Sequence, residues 1–528
     1  MPKNRKSYDY VIVGAGSAGC VLASRLSEDP SSRVLLLEAG GNDKRREIKI
    51  PAAFSRLFKT EVDWNYSTEP EPHLHHRQLY WPRGKVVGGS SSINAMIYIR
   101  GNRADYDGWR DLGNEGWGFD DVLPYFKKSE NQANGASEFH GAGGPVSVSN
   151  LKCVNALTKA FLEAAGELGI RGNPDFNGAE QEGAGLFQVT QSDGRRQSAF
   201  DAFVRPALGR PNLTLATNAL ATRIMTEKGR VKGVEFSEGG TIQEARAEKE
   251  VIVAGGAVNS PQLLMLSGIG AADELARAGV RVVHHLPGVG KNLQDHPMVS
   301  TGYTSKKPVT LMSAESPRNL LRYFLWKDGP LTSNVAEAGI FLRLREGSAA
   351  PNLQLLFGPA YYASHGLRKR TDHCFGFGPT LITPESRGEI ALRSPRADEA
   401  PLIRANYLST DADLRVIVEG VKLSRELAHT RAFGEYRGEE LHPGISAQTD
   451  EEIGEFVRRE AETLYHPAGT CKMGRDEDAV VDDKLRVRGI DGLRVVDASV
   501  MPRVVAGNTN APTMMIAERA ADLIRQGR

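Results

Sequence analysis

A chain of 528 residues is too long for one hydrophobic core and implies two or more domains. Its 40% hydrophobic and 25% charged residues are ordinary for a globular protein in water, and a formal net charge of +1 leaves no electrostatic footprint for nucleic acid. No apolar run reaches the roughly 18 residues that a membrane-spanning helix needs.

The chain begins with a polar lead, MPKNRKS, that has no apolar stretch of the kind a secretory signal carries, so no signal peptide is expected ahead of the fold. Cys20, Cys153, Cys374 and Cys471 are widely separated and form no C-x-x-C, which points to a reducing, cytoplasmic setting. Short basic clusters at Lys3 to Lys6, Lys44 to Arg46 and Arg368 to Arg370 read as solvated surface, with peripheral contact at the inner face of a membrane as the alternative.

The first element predicted is a buried strand over Tyr10 to Val13, running into Gly14-Ala-Gly16-Ser-Ala-Gly19. In this G-x-G-x-x-G the first glycine permits the tight turn, the second lets a pyrophosphate approach the backbone, and the third lets helix pack on strand. Ala18 to Leu26 has helical spacing, so its free amides and positive dipole end point at the phosphates. A second buried strand, Val34 to Leu37, ends at Glu38, placed to take the hydroxyls of a ribose and unsuited to a 2′-phosphate. The motif predicts a bound dinucleotide and disfavours NADP, but does not choose between NAD and FAD.

Further on, Trp81-Pro-Arg83-Gly-Lys85-Val-Val-Gly88-Gly89-Ser90-Ser91-Ser92-Ile93-Asn94-Ala95-Met96 puts paired glycines before three serines, exposing amides and small hydroxyls as a loop does when it runs against a flat polar ligand. A helix is expected over Leu157 to Leu168, and strands over Leu213 to Thr217 and Arg230 to Phe236. Glu250 to Ala254 reads as a buried strand returning to the nucleotide domain, with Val282 to Gly290 and Asn292 to His296 completing the return. Gly388 to Leu392 alternates as a strand and Asp411 to His429 is helical. Near the end, Tyr465-His466-Pro467-Ala-Gly469-Thr-Cys471 holds a histidine in a stiffened turn; Cys471 follows closely, but no further ligand stands at zinc spacing. Leu493 to Asp497 reads as a strand, and a helix over Met514 to Ile524 has Pro512 at its approach.

The N-terminal βαβ unit, the GKVVGGSSSIN segment, Gly256-Ala-Val-Asn-Ser260-Pro261 with its continuation to Gly270, and the C-terminal His466-Pro-Ala-Gly-Thr-Cys with Asn508-Thr-Asn510-Ala-Pro512-Thr together resemble the glucose-methanol-choline (GMC) oxidoreductases, nearest to their bacterial alcohol and choline dehydrogenases. The resemblance implies an α/β fold in which a Rossmann-like FAD domain is combined with a substrate domain built on an antiparallel sheet. The expected ranges are 1–150, 206–300 and 456–528 for the FAD domain and 151–205 and 301–455 for the substrate domain. The FAD contacts it implies are Gly14, Gly16, Ser17, Ala18, Gly19, Glu38, Ala39, Trp64, Arg83, Val87, Gly88, Ser91, Asn94, Ala95, Met96, Ile97, Ala254, Asp497, Ala498, Asn508, Pro512 and Thr513. Some relatives tether the flavin through a histidine beside the paired serines; Ile93 stands there, so FAD is expected to be noncovalent.

The resemblance makes His466 the base for the substrate hydroxyl and Asn510 the donor to its oxygen, while hydride passes to flavin N5 and a quinone or other acceptor takes the electrons. Imidazole suits that task because it is poised near working pH. The substrate expected is an aliphatic or aryl primary alcohol. Glu337 supplies a candidate acid for choline, but Val335 and Ala336 leave an ammonium cage incomplete. Choline dehydrogenase, alcohol oxidase, and a lyase with redox-silent FAD are the alternatives.

Overall fold

The computed structural model describes residues 7–368 and 370–527. The basic run at Lys3 to Lys6, and Lys369 within the third basic cluster, lie outside the described residues.

Two sheets organise the molecule. The first has seven strands in the order Leu213–Ala216, Val34–Leu37, Ser7–Val13, Thr241–Val253, Arg230–Glu238, Ala219–Glu227, with Leu493–Val495 also paired to Thr241–Val253. Its centre is parallel: Val11 lies beside Leu35 on one side and Val251 on the other. These runs of Val, Ile and Leu are buried almost completely, as a parallel sheet covered on both faces requires. The thirteen-residue strand Thr241–Val253 does two jobs. Its first half pairs antiparallel in a meander with Arg230–Glu238, and its second half joins the parallel centre. From sequence only the buried end from Glu250 was legible, because Thr241 to Lys249 is mostly polar and Ala245 is its one buried residue.

The second sheet has eight strands, antiparallel throughout, in the order Arg437–His442, Thr301–Ser305, Cys374–Leu381, Leu353–Gly358, Ala338–Leu342, Gly183–Leu186; Pro297–Met298 bridges Cys374–Leu381 and Glu462–Thr463. Helices Ala156–Glu167 and Asp411–His429 pack on it through Phe161, which stacks on Phe357 at 4.7 Å, and through Leu427 and Ala428. Glu389–Ala391, where a strand was expected, pairs instead with Leu402–Arg404 in a ribbon outside this sheet. The expected helix at Met514 begins earlier, spanning Asn510–Arg525 with Thr509 before it. Pro512 does not mark its start, because a proline in the first turn has no intrahelical bond to lose.

Candidate functional site

A single cleft of about 290 Å³ is lined by residues of both sheets. At one end lie Gly14, Gly16, Ser17, Ala18, Glu38 and Ala39; at the other, His466, Phe377 and Val335.

The first end is built from close-packed glycines and helix starts, the arrangement that accepts a diphosphate. Gly14 has φ +102° and a Cβ there would meet the Ala254 carbonyl oxygen at 2.5 Å, so no side chain fits. Gly19 is packed as tightly, a Cβ falling 1.8 Å from the Gly14 carbonyl oxygen. At Gly16 a Cβ would meet nothing within 4 Å and would point into open space. Helix Ser17–Leu26 has no side-chain cap on its first turn, nor has Asn510–Arg525, and the leading residues of both line the cleft. Two uncapped helix ends facing one space favour an anion there. Ser17 Oγ donates to Asn510 Oδ1 at 2.6 Å and ties these two ends together. A third helix, Gly256–Leu266, also opens on the cleft, but its Gly256 amide is taken by Asp497 Oδ2 at 2.8 Å. Glu38 is buried, accepts from the amides of Ala15 (2.9 Å) and Gly40 (2.8 Å), and is pushed up to about 7 by loss of solvent. Trp64, stacked on Tyr66, carries Lys85 over its ring at 4.7 Å.

Of the expected cofactor contacts, Trp64, Arg83, Asn94, Ala95, Met96, Ile97, Ala254, Asp497, Ala498, Asn508 and Thr513 also line the cleft. Gly19, Val87, Gly88, Ser91 and Pro512 do not. Gly19 sits beneath the turn as packing, the Gly88 amide donates to the Ala15 carbonyl at 2.7 Å, and Ser91 Oγ turns back to the Gly88 carbonyl. Their backbone polarity serves the loop, and Gly89, Ser90 and Ile93 face the cleft in their place.

At the other end two asparagines line the cleft with His466: Asn508 Nδ2 lies 3.1 Å from His466 Nε2, and Asn510, the expected donor to a substrate oxygen, accepts from Ser17 Oγ in this structure. Asn508 precedes the helix, whereas Asn510 is its first residue. Gln354 Nε2 donates to Asn508 Oδ1 at 3.3 Å, which leaves the Asn508 amide to donate to Nε2. His466 Nδ1 is 3.0 Å from His296 Nδ1. The Asn508 amide, so oriented, calls for the His466 tautomer that holds its proton on Nδ1 and donates it to His296, leaving the Nε2 lone pair toward Asn508. Asp295 steadies the turn from behind, accepting from the His466 amide at 2.8 Å and from Tyr407 and Thr463 hydroxyls. Burial, aided by His296 and Arg83, holds His466 well below the ordinary histidine value, and burial takes His296 down to about 3. Both rings are neutral at neutral pH. His296, Gln354 and Asp295 were not read as site residues from sequence, because Asp295-His296 sits in a connecting segment and Gln354 inside a strand.

The surrounding wall is apolar: Phe54, Phe58, Met298, Leu356, Phe377 and Leu464 line it, with Tyr362 and Tyr465. Met96, Val335 and Tyr465 hold positive φ of 59°, 72° and 69°, a cluster of backbone strain that for a β-branched residue such as Val335 is rare. Among the described residues the only carboxylates lining the cleft are Glu38 and Asp497, both toward the cradle. Glu337 is buried and turned toward helix Ala156–Glu167, accepting from Ser333 Oγ (2.6 Å), Thr158 Oγ1 (2.6 Å) and the Asn155 amide (2.9 Å).

A family model described as GMC oxidoreductase matches residues 8–298 with its N-terminal part, and its C-terminal part matches 384–517. The chain belongs to the GMC oxidoreductase family. It is 46% identical to an alcohol dehydrogenase (acceptor) of Pseudomonas putida, over 98% of this chain and 95% of that one. It is also 46% identical to the mitochondrial choline dehydrogenase of Mus musculus, over 99% and 90%. Among solved structures it is similar to pyridoxine 4-oxidase from Mesorbium loti, with a TM-score of 0.91, 35% identity, and coverage of 98% of this chain and 99% of that one. This GMC oxidoreductase is therefore an enzyme of a family whose members bind FAD.

Proposed function

We propose that the protein holds FAD noncovalently and oxidises an uncharged primary alcohol, aliphatic or aryl, to the aldehyde, passing electrons to a quinone or similar acceptor. The observation that carries the substrate reading is the distribution of charge in the cleft: the wall around His466 and Asn508 is apolar and the one candidate acid, Glu337, is engaged elsewhere. A quaternary ammonium would leave water without a carboxylate to meet it, and aromatic faces alone return only about 0.5–2 kcal/mol. An alkyl chain gains about 0.8 kcal/mol per buried methylene.

The residues that would hold FAD are those of the cradle: Gly16 where a side chain would obstruct, the two uncapped helix ends for the phosphates, Glu38 for a ribose, and Arg83, Asn94 and Ala498 along the cleft. Ile93 offers no nucleophilic atom for a covalent link. Bound there, FAD supplies the acceptor for a hydride. The protein's own part is to place the alcohol and move its proton. The hydroxyl oxygen accepts from Asn508 Nδ2 while its proton goes to the lone pair on His466 Nε2. The Nδ1 proton given to His296 keeps that lone pair pointing into the cleft, and the depressed basicity of His466 keeps it unprotonated beforehand. Asp295 fixes the backbone of the turn, so little ordering is left for the moment of reaction.

Measuring kcat/KM over 1-alkanols of increasing length, benzyl alcohol and choline tests the reading. Efficiency should climb with chain length among the shorter alcohols. A clear preference for choline would overturn it. Hydrogen peroxide formed in air as fast as aldehyde would replace the quinone with oxygen.

A further inference from the structure

Arg196 lies on the short hairpin of Gln191–Ser192 with Arg195–Arg196. Arg195 is exposed, whereas Arg196 is buried to 2%. Every acceptor that Arg196 meets is neutral: Nε donates to the Ile48 carbonyl at 2.8 Å, and Nη1 to the Ser91 carbonyl at 3.1 Å and to Asn94 Oδ1 at 2.6 Å. Nη2 is buried with no hydrogen-bond partner. Among the described residues no carboxylate forms an ion pair with it. Asp201, the acid whose charge it feels, is occupied by Lys49 Nζ at 2.6 Å and Arg205 Nε at 2.9 Å. Loss of solvent takes the guanidinium down to about 9, which leaves it charged at neutral pH. A buried cation without a carboxylate is costly, and an apolar side chain would fill the same space more cheaply, so the charge itself calls for an account.

What Arg196 holds supplies one. Asn94 Oδ1 accepts twice, from Arg196 and from the Met96 amide at 3.0 Å. The donor end, Nδ2, is thereby left over; it has no protein partner among the described residues, and Asn94 lines the cleft. Met96, at positive φ, and Ala95 line it too. The Ala95 carbonyl accepts from Asn334 Nδ2 at 3.2 Å, and Asn334 adjoins Val335 at the substrate end. The turn that Arg196 grips is therefore tied to the end of the cleft where His466 stands, away from the glycines that suit the phosphates.

We propose that Arg196 is a positioning residue for the cofactor: it sets Asn94 with its amide donor toward a bound flavin and lends this end of the cleft a positive charge that favours the reduced form. The inference rests on the flavin reading above and not on the alcohol. Hydride uptake brings two electrons and one proton to a flavin, so the site gains one negative charge. A fixed cation in a dry wall acts on that charge with little screening. The bonds to the Ile48 and Ser91 carbonyls keep the guanidinium from turning out to solvent, and an internal carboxylate would have cancelled its effect.

The test is the reduction potential of bound FAD, read from flavin absorbance at equilibrium with a dye of known potential and an artificial reductant, with no alcohol present. FAD affinity and melting temperature are measured beside it. Arg196→Gln should move the ratio of oxidised to reduced flavin toward the oxidised form by on the order of tenfold or more, which is about 30 mV for two electrons. Arg196→Lys, which keeps the charge without the planar fork, should recover most of that shift. Asn94→Asp keeps the side chain's shape and both of its accepted bonds while giving the cation a carboxylate; it should lower the potential likewise and, lacking the donor, weaken FAD binding by on the order of tenfold. An arginine that only braces the fold would lower the melting temperature in its variants and leave the potential of the loaded protein unchanged. Wild-type potential in Arg196→Gln, or a Lys variant as low as the Gln variant, would overturn the proposal. If Arg196→Gln gives no folded protein, wild-type potential in Asn94→Asp overturns it equally. Wild-type protein that binds no FAD would sink the flavin reading and this inference with it, an outcome seen before any variant is made.

Discussion

At the scale of single residues, two asparagines two positions apart divide the work. Asn508 touches His466, the proposed base, and Asn510 ties together two helix ends that open on the cleft. His466→Ala should retain flavin yet slow its reduction by alcohol by about 10²- to 10⁴-fold, the usual worth of a positioned base. Asn508→Ala should slow the same step less, and Asn510→Ala should weaken flavin binding while leaving reduction of the loaded enzyme nearly intact. Stopped-flow reduction with parallel flavin titration decides, and the opposite pattern for the two asparagines would return the catalytic role to Asn510. Sequence led to the expectation of Asn510 as the donor to the substrate oxygen and of Asn508 as a cofactor contact; it gave no sign of the contact between Asn508 and His466, because both asparagines flank the helix start and only the chain's path separates them. The neighbouring ring gives a pH test. His296 is held to about 3 by burial, whereas an unfolded histidine protonates near 6.5, so between those values the unfolded chain binds a proton that the native chain refuses. Stability from this group is whole above about pH 6.5 and is lost as pH falls, by up to about 1.4 kcal/mol per pH unit. His296→Asn should flatten the acid side of the melting temperature profile relative to wild type; an equally steep decline would show that the ring is protonated in the native state.

At the scale of elements, the cradle was legible because its strand, turn and helix each have a local signature and all agree. The three glycines nevertheless serve different ends, which only coordinates reveal. Gly16→Ala adds a methyl to open space at an ordinary φ of −79°, so the protein should fold as before, with unchanged circular dichroism and apoprotein melting, but bind FAD more weakly. Gly19→Ala drives a methyl into the Gly14 carbonyl, so strand and helix must part and soluble protein should be lost. Equal flavin affinity in Gly16→Ala would remove the reading of that space as the ligand's. The first half of Thr241–Val253 was missed because its residues carry no alternation to read.

At the scale of the whole molecule, the binding cleft draws on stretches from Val13 to Thr513, and its two ends belong to different sheets. The order of the motifs led to the expectation of a discontinuous nucleotide domain, but gave no sign that Pro297–Met298 and Glu462–Thr463 pair within the antiparallel sheet while their chain neighbours line the cleft. A ligand held by parts so distant in sequence is released when any of them unfolds, so it stabilises the native state as a unit by RT ln(1 + [L]/Kd). With FAD noncovalent and at about a hundred times its Kd, that is about 2.7 kcal/mol. For a large domain this raises the melting temperature by about 5–10 °C, taking about 2–4 °C for each kcal/mol. Deflavinated protein should therefore melt lower, regain the difference on adding FAD, and show a melting temperature that climbs with the logarithm of free FAD. A melting temperature that ignores added FAD, or colour that stays with the acid-precipitated pellet, would mean that the flavin is covalently fixed or that the cleft is not its site. Which of the two holds is read from the pellet, because only a covalent flavin stays with the denatured chain.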